Sequence, residues 1–201
     1  MVIGDVMLDR YIFGTVSRIS PEAPVPILKT VDEKFTLGGA ANVANNLISL
    51  GASVDIFGII GNDSEGEKVS YLLKKNNIDP KGLVIDPSRF TTTKTRLVSR
   101  NQQVARIDKE KEDLMTQKKI LTSIRRTFDK RRPAGIIISD YAKGCINKEL
   151  CKEIIQLARK NKIFLAVDPK GKDFTKYKGA SVITPNKMEA EEVCGLSIAD
   201  E

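Results

Sequence analysis

The chain has 201 residues, 41% of them hydrophobic and 29% charged, the balance of an ordinary globular protein with room for one substantial core. Its 33 Lys and Arg against 26 Asp and Glu leave a formal charge of +7, which favours anionic partners even though much of this lysine solvates helix faces. There is no histidine, which excludes His-based triads and imidazole acid–base chemistry, and the three cysteines form no CxxC pair that would point to zinc or a disulfide framework.

The chain opens on Met-Val-Ile-Gly-Asp-Val, a strand pattern without a basic-then-apolar signal. No stretch approaches the roughly 20 consecutive apolar residues of a membrane span, so a cytoplasmic protein is expected. The first strand is expected over Ile3 to Leu8. Asp9 is read at its carboxyl end, where a carboxylate can accept two sugar hydroxyls, with Arg10 beside it to pair with Asp9 or with a phosphate. An Asp capping a turn explains the same residues equally well.

Residues 11–37 then break the α/β rhythm with the Pro-rich Ser20 to Pro26 and a strand-like Ile27 to Val31. Gly38, Gly39 and Asn42 stand at the start of a helix over Ala40 to Leu50. Tiny residues there let the backbone approach a ligand, and Asn42 can reach a hydroxyl. A tight loop that merely permits helix–sheet packing is the competing explanation. A strand over Val54 to Ile60 and a helix over Ser64 to Asn76 follow, and then residues 91–108 alternate with period two. Segments 11–37 and 91–108 are expected to form a small β lid.

Farther on, a helix is expected over Asp113 to Lys130 and another over Asn147 to Lys160. Strands are expected over Gly135 to Ser139, Phe164 to Val167 and Ala180 to Ile183. The βα alternation predicts an α/β fold with a mainly parallel sheet flanked by helices, the lid closing over the carboxyl ends of its strands. At that rim Asp140 with Lys143, and Asp168 with Lys170, offer carboxylates for hydroxyls and ammonium groups for phosphate, although Asp-Pro and Lys-Gly are also ordinary turn dipeptides. Asn186 and Glu189 open the last helix. They can hold a magnesium-bound water and a nucleotide phosphate, or simply form a capping box.

GDVMLDRY (4–11), SRISPEAPVPIL (17–28), GGAANVANNL (38–47), TKTRLVSRNQQVARID (93–108), SDYAKG (139–144), DPKG (168–171) and TPNKMEAE (184–191) appear in one order along the chain. Together they resemble the ribokinase-like carbohydrate kinase superfamily, and within it the heptose 7-phosphate kinases of lipopolysaccharide core synthesis. The resemblance implies transfer of the ATP γ-phosphate, with Mg2+, to C1 of D-glycero-β-D-manno-heptose 7-phosphate. It implies sugar contacts from Asp9, Gly38, Gly39 and Asn42, a pocket for the rest of the phosphorylated heptose at Arg100, Asp140 and Lys170, and nucleotide-phosphate contacts from Asn186, Lys187, Met188 and Glu189, with no direct metal ligand. It also implies pairing of two copies through their lids. The family's general base lies in a Gly-Ala-Gly-Asp-type motif that does not occur here, so the expectation is an incomplete kinase domain with little activity alone. Another ribokinase-like sugar or nucleoside kinase is the nearest alternative. A basic nucleic-acid-binding protein is a more distant one, with only 5% aromatic residues and no Trp to stack on bases.

Overall fold

The computed structural model describes residues 1–111 and 117–198. Two sheets share the chain. The main one has six parallel strands: β1 (Val2–Gly4), β4 (Ile56–Gly61), β5 (Leu83–Asp86), β8 (Gly135–Ser139), β9 (Phe164–Asp168) and β10 (Val182–Ile183), in the order β10-β9-β8-β1-β4-β5. The segments expected to form a lid make a second sheet of β2 (Val6–Ile19), β3 (Pro26–Gly39), β6 (Thr92–Ser99) and β7 (Gln102–Lys109), in the order β3-β2-β6-β7.

The helices are α1 (Ala40–Ser49), α2 (Ser64–Lys75), α3 (Gln117–Lys130), α4 (Lys148–Lys160) and α5 (Lys187–Cys194). Their boundaries follow local chemistry. Asp63 and Asn147 accept the amides of Gly66 and Leu150 to start α2 and α4, and α5 ends on Gly195 in the left-handed region. The expected helix from Asp113 begins in the description at Gln117, its first residues lying outside the described ones.

Period-two alternation divides the core. Ile3, Phe57, Ile59, Ile138 and Val167 pack with Ile124 and Ile154 of α3 and α4, while Val2, Ile56 and Ile60 pack with Ala44, Val69 and Leu73 of α1 and α2. Cys145 and Cys151 are buried packing residues, and burial pushes the Cys151 thiol up to about 12. Cys194 is exposed.

Three expectations change. The run from Ile3 to Leu8 is two strands rather than one: β1 stops at Gly4, and the chain turns at Asp5 into the lid. The second sheet therefore draws on 6–39, longer than the expected 11–37, and on 92–109, one residue on from the expected 91–108. β5, whose short Leu-Val-Ile run carries little periodicity, was not expected at all.

Candidate functional site

The site is built where β1, β8 and β9 end side by side. Ser139 pairs with Gly4 and with Asp168, so three neighbouring strands release their loops at one level. Asp5, only 3% exposed, holds the loop after β8. Its Oδ2 accepts the amides of Tyr141 (2.7 Å) and Lys143 (3.1 Å), and its Oδ1 that of Cys145 (2.9 Å). Burial raises its pKa, against the pull of those three amides.

Asp140 is equally committed. Its Oδ2 accepts from Lys176 Nζ and from the Tyr177 hydroxyl, each at 2.7 Å, and its Oδ1 from the amide of Ala142. The Tyr177 hydroxyl in turn accepts the Lys170 amide at 3.1 Å, so Asp140 braces the DPKG turn from beneath. Lys170 Nζ then reaches Glu189 Oε1 at 2.7 Å and joins this turn to the start of α5. The capping box is formed: Asn186 Oδ1 accepts the Glu189 amide, and Glu189 Oε2 accepts the Asn186 amide. Burial works against the Glu189 carboxylate, but Lys170 and the Asn186 amide hold it below the usual range.

Tyr141 marks the convergence. Burial raises its phenol, and the charges of Asp168, Asp9 and Glu189 raise it further while Lys170 lowers it. One side chain thus feels the lid, the DPKG turn and α5 together. Asp168 is itself raised, first by burial and then by the charge of Glu189.

From the lid, Asp9 in β2 faces Lys94 in β6 and Thr36 in β3. Arg96 Nη1 holds its Oδ1 at 2.8 Å. The other oxygen lies against Gly38, where an added Cβ would come within 2.8 Å of Oδ2. Gly39 has φ +54°, and a Cβ there would meet the Asp5 carbonyl at 2.3 Å; this lets β3 run straight into α1, with the Ala40 amide on the same carbonyl at 2.9 Å. Asp9 and Asn42 line a common open cavity of about 450 Å³ with Thr36 and Asn45.

Asp9 therefore sits inside a lid strand rather than at the tip of the first strand, and Gly38 and Gly39 are strand residues, not a loop. Arg10, on the opposite lid face, pairs with Glu33 over the Phe35 ring instead of with Asp9. Arg100 and Asn101, at φ +47° and +65°, form the β6–β7 hairpin turn at the far lid end. Ser99 beside them pairs with Gly14, five register steps from the Lys94–Asp9 pair, so Arg100 does not join Asp140 and Lys170. Lys143 pairs with Glu110 at 2.8 Å. Lys187 and Met188 follow Asn186 on the first turn of α5, Met188 exposed.

Asp5, Lys94, Arg96, Tyr141, Lys176 and Tyr177 had not been singled out. For Lys94 and Arg96 a signal existed: in a period-two segment they share a face. For Asp5 and Tyr177 none did, because their partners lie 136 to 140 and 37 residues away.

Residues 1–201 match, along their whole length, the family described as pfkB family carbohydrate kinase. The chain belongs to this family. It is 43% identical over 204 residues to Bifunctional protein HldE of Aliarcobacter butzleri and 47% over 201 residues to that of Helicobacter pylori strain G27, covering 100% and 98% of this chain but 42% and 43% of those proteins. The chain thus spans less than half the length of these curated relatives. Its fold matches phosphofructokinase-2 of Escherichia coli (TM-score 0.73, 17% identity, 99% of this chain and 65% of that one). It also matches Arabidopsis thaliana ribokinase complexed with ribose and ATP (TM-score 0.71, 15% identity, 98% and 62%). The α/β fold with a mainly parallel, helix-flanked sheet is that of these kinases, and the family implies a phosphotransferase that uses ATP on a sugar. No described helix is long and apolar enough to cross a membrane.

Proposed function

We propose that this chain forms the sugar pocket and the nucleotide-phosphate flank of an ATP-dependent kinase that phosphorylates D-glycero-β-D-manno-heptose 7-phosphate at C1. The observation that carries the reading is that β1, β8 and β9 end side by side, with Tyr141 after β8 lying 5.5 Å from Lys94, the register partner of Asp9, and Lys170 after β9 bound to Glu189 of α5 at 2.7 Å. Asp9 Oδ2, kept open by Gly38, accepts sugar hydroxyls, and Asn42 reaches the same cavity. Arg96 fixes the orientation of Asp9. Asp140 acts by bracing the turn that carries Lys170.

On the nucleotide flank, Asp168 and Glu189 repel each other beside Lys170, a deficit of positive charge that suits a hydrated magnesium ion with phosphate oxygens. Glu189 and Asn186 would hold that ion through water, and Lys170 would meet phosphate. When bound, magnesium neutralises charge on the phosphates. The exposed lid strands suit pairing of two copies, and the setting is cytoplasmic.

Transfer also needs a base to take the hydroxyl proton. No Gly-Ala-Gly-Asp occurs in residues 1–201, so these residues alone are expected to bind the heptose phosphate and turn it over slowly. Phosphorus NMR of residues 1–201 and of a full-length relative such as the Helicobacter pylori protein, each with ATP, Mg2+ and heptose 7-phosphate, tests this. Growth of an anomeric phosphate signal with the relative and its near absence with residues 1–201 is the expected result. Equal rates, or no binding of the sugar phosphate by residues 1–201, would overturn the proposal.

A further inference from the structure

A second concentration of charge lies at the opposite end of the main sheet. At the amino ends of β4 and β5 an open cavity of about 410 Å³ is walled by α3, by the residues leading into β4 and by the turn before β5. Four cations line it, Lys81, Arg126, Lys130 and Arg131, against two carboxylates, Asp55 and Asp79. Arg131 pairs with Asp55, and Lys81 with Asp79 at 3.1 Å. Both carboxylates are thereby used, and among the described residues neither Arg126 nor Lys130 has one within ion-pair distance. Ser123, Arg126, Thr127 and Lys130 stand at i, i+3, i+4 and i+7, so one face of α3 turns to the cavity while Ile120 and Ile124 are buried in the core. Gly82 closes the floor. An added Cβ there would meet the Ile56 carbonyl at 2.0 Å, so β5 starts hard against β4 and the turn brings Lys81 to the cavity.

We propose that this cavity binds a diphosphate group, free or esterified, at a site separate from the candidate sugar pocket. The inference does not depend on the sugar-kinase reading. The lining carries two more cations than carboxylates, and a diphosphate brings the negative charge that this excess lacks. The planar guanidinium of Arg126 suits two oxygens of one phosphate, and the Lys130 ammonium serves the other as a point charge. The hydroxyls of Ser123 and Thr127 can donate to the oxygens that remain. The volume falls within the roughly 300 to 1,000 Å³ of small-molecule sites. Among the described residues lining the cavity the aromatic one, Phe57, is 1% exposed, so no ring is offered to a base and recognition falls on the phosphates.

Basic residues at the end of a helix also answer its dipole, and that role accounts for Lys130 and Arg131. It does not account for Arg126, a turn earlier, or for Lys81 on another element. β4 has six residues at roughly 3.3 Å each, so the cavity stands about 20 Å from the carboxyl rim. A ligand here leaves the sugar pocket and the nucleotide flank free.

Isothermal titration without Mg2+ tests the site, with inorganic diphosphate and ADP as probes. Two double variants are compared with the wild type: Arg126→Ala/Lys130→Ala in the cavity, and Lys118→Ala/Lys119→Ala on the same helix outside it. All four side chains are exposed, so both variants should fold, and urea unfolding checks that they do. The cavity variant is expected to weaken diphosphate roughly 10- to 100-fold, the loss of charge-assisted contacts, while the outer variant, with the same change in net charge, binds as before. Arg126→Lys/Lys130→Arg should retain most of the affinity, since it keeps both charges. ADP that weakens in step with diphosphate extends the site to esterified diphosphates, and ADP that does not confines it to the free anion. Equal weakening by both alanine variants shows only diffuse attraction to a basic protein and overturns the proposal. So does a wild type that binds no diphosphate, or binding that survives in Arg126→Ala/Lys130→Ala.

Discussion

The main sheet and the lid meet at Asp5 yet are held by different forces. β1 and β4 are buried at every residue, and β8 at three of five, with Ile3, Ile56 and Ile138 at 1% exposure or less. Every residue of β7 is exposed, and β3 is exposed over most of its outer half. Burial of apolar surface at about 25 cal/mol per Å² fixes the first sheet. The lid fully buries apolar side chains only where it leaves the main sheet, at Val6, Met7, Leu8 and Leu37; its outer half depends on backbone ladders and on exposed ion pairs such as Arg106–Asp108, each worth about 1 kcal/mol or less. A rigid rim therefore presents Tyr141 and Lys170, while Asp9, read as a sugar contact, and Arg96, which orients it, belong to the sheet with less holding it.

Breaking the rim should cost most. Asp5→Ala leaves the amides of Tyr141, Lys143 and Cys145 without their acceptor, and a loss of about 3 kcal/mol in urea unfolding is expected. A loss below about 1 kcal/mol would show that water replaces the carboxylate and that the rim is not rigid.

The junction between the two sheets should respond less and should depend on pH. Asp63 caps α2 and also accepts from the amide (2.8 Å) and hydroxyl (2.6 Å) of Thr91, at the root of β6. Burial pushes its carboxyl up, but these bonds outweigh burial and hold it below the ordinary value. Because the folded pKa is depressed, its stabilisation is complete above the unfolded value of about 4 and is lost as pH falls through the folded one. Asp63→Asn should therefore cost about 1 kcal/mol at pH 7, and its unfolding midpoint should approach that of the wild type toward pH 2. A difference that stays constant from pH 7 to pH 2 would remove Asp63 ionisation from the account.

The lid surface should matter least. Ile107 in β7 is 58% exposed, and Ile107→Thr keeps a β-branched side chain there. A change within about 0.5 kcal/mol is expected by thermal unfolding. A fall above about 1 kcal/mol would mean that this face is buried in solution, as pairing of two lids would require.

Much of this was open to reading without coordinates. Apolar runs such as Gly135 to Ser139 and Phe164 to Val167, and the 3.6-residue spacing of Leu150, Ile154 and Leu157, set the parallel α/β layout because periodicity is local. Thr-Pro-Asn-Lys-Met-Glu specified the α5 cap for the same reason, since its partners are three residues apart. Where β1 ends was not legible, because Val6, Met7 and Leu8 are as apolar as Val2 and Ile3; a buried carboxylate and amides some 140 residues away decide it. The candidate site divides the same way. Gly38, Asp9 and Glu189 could be named from their types and spacing. That Asp140 is already bonded, that Arg100 stands at the remote hairpin turn and that Lys94 faces Tyr141 were settled only by tertiary structure, because strand register and ion-pair choice arise when segments distant in sequence compete for the same partners in a shared, partly desolvated space.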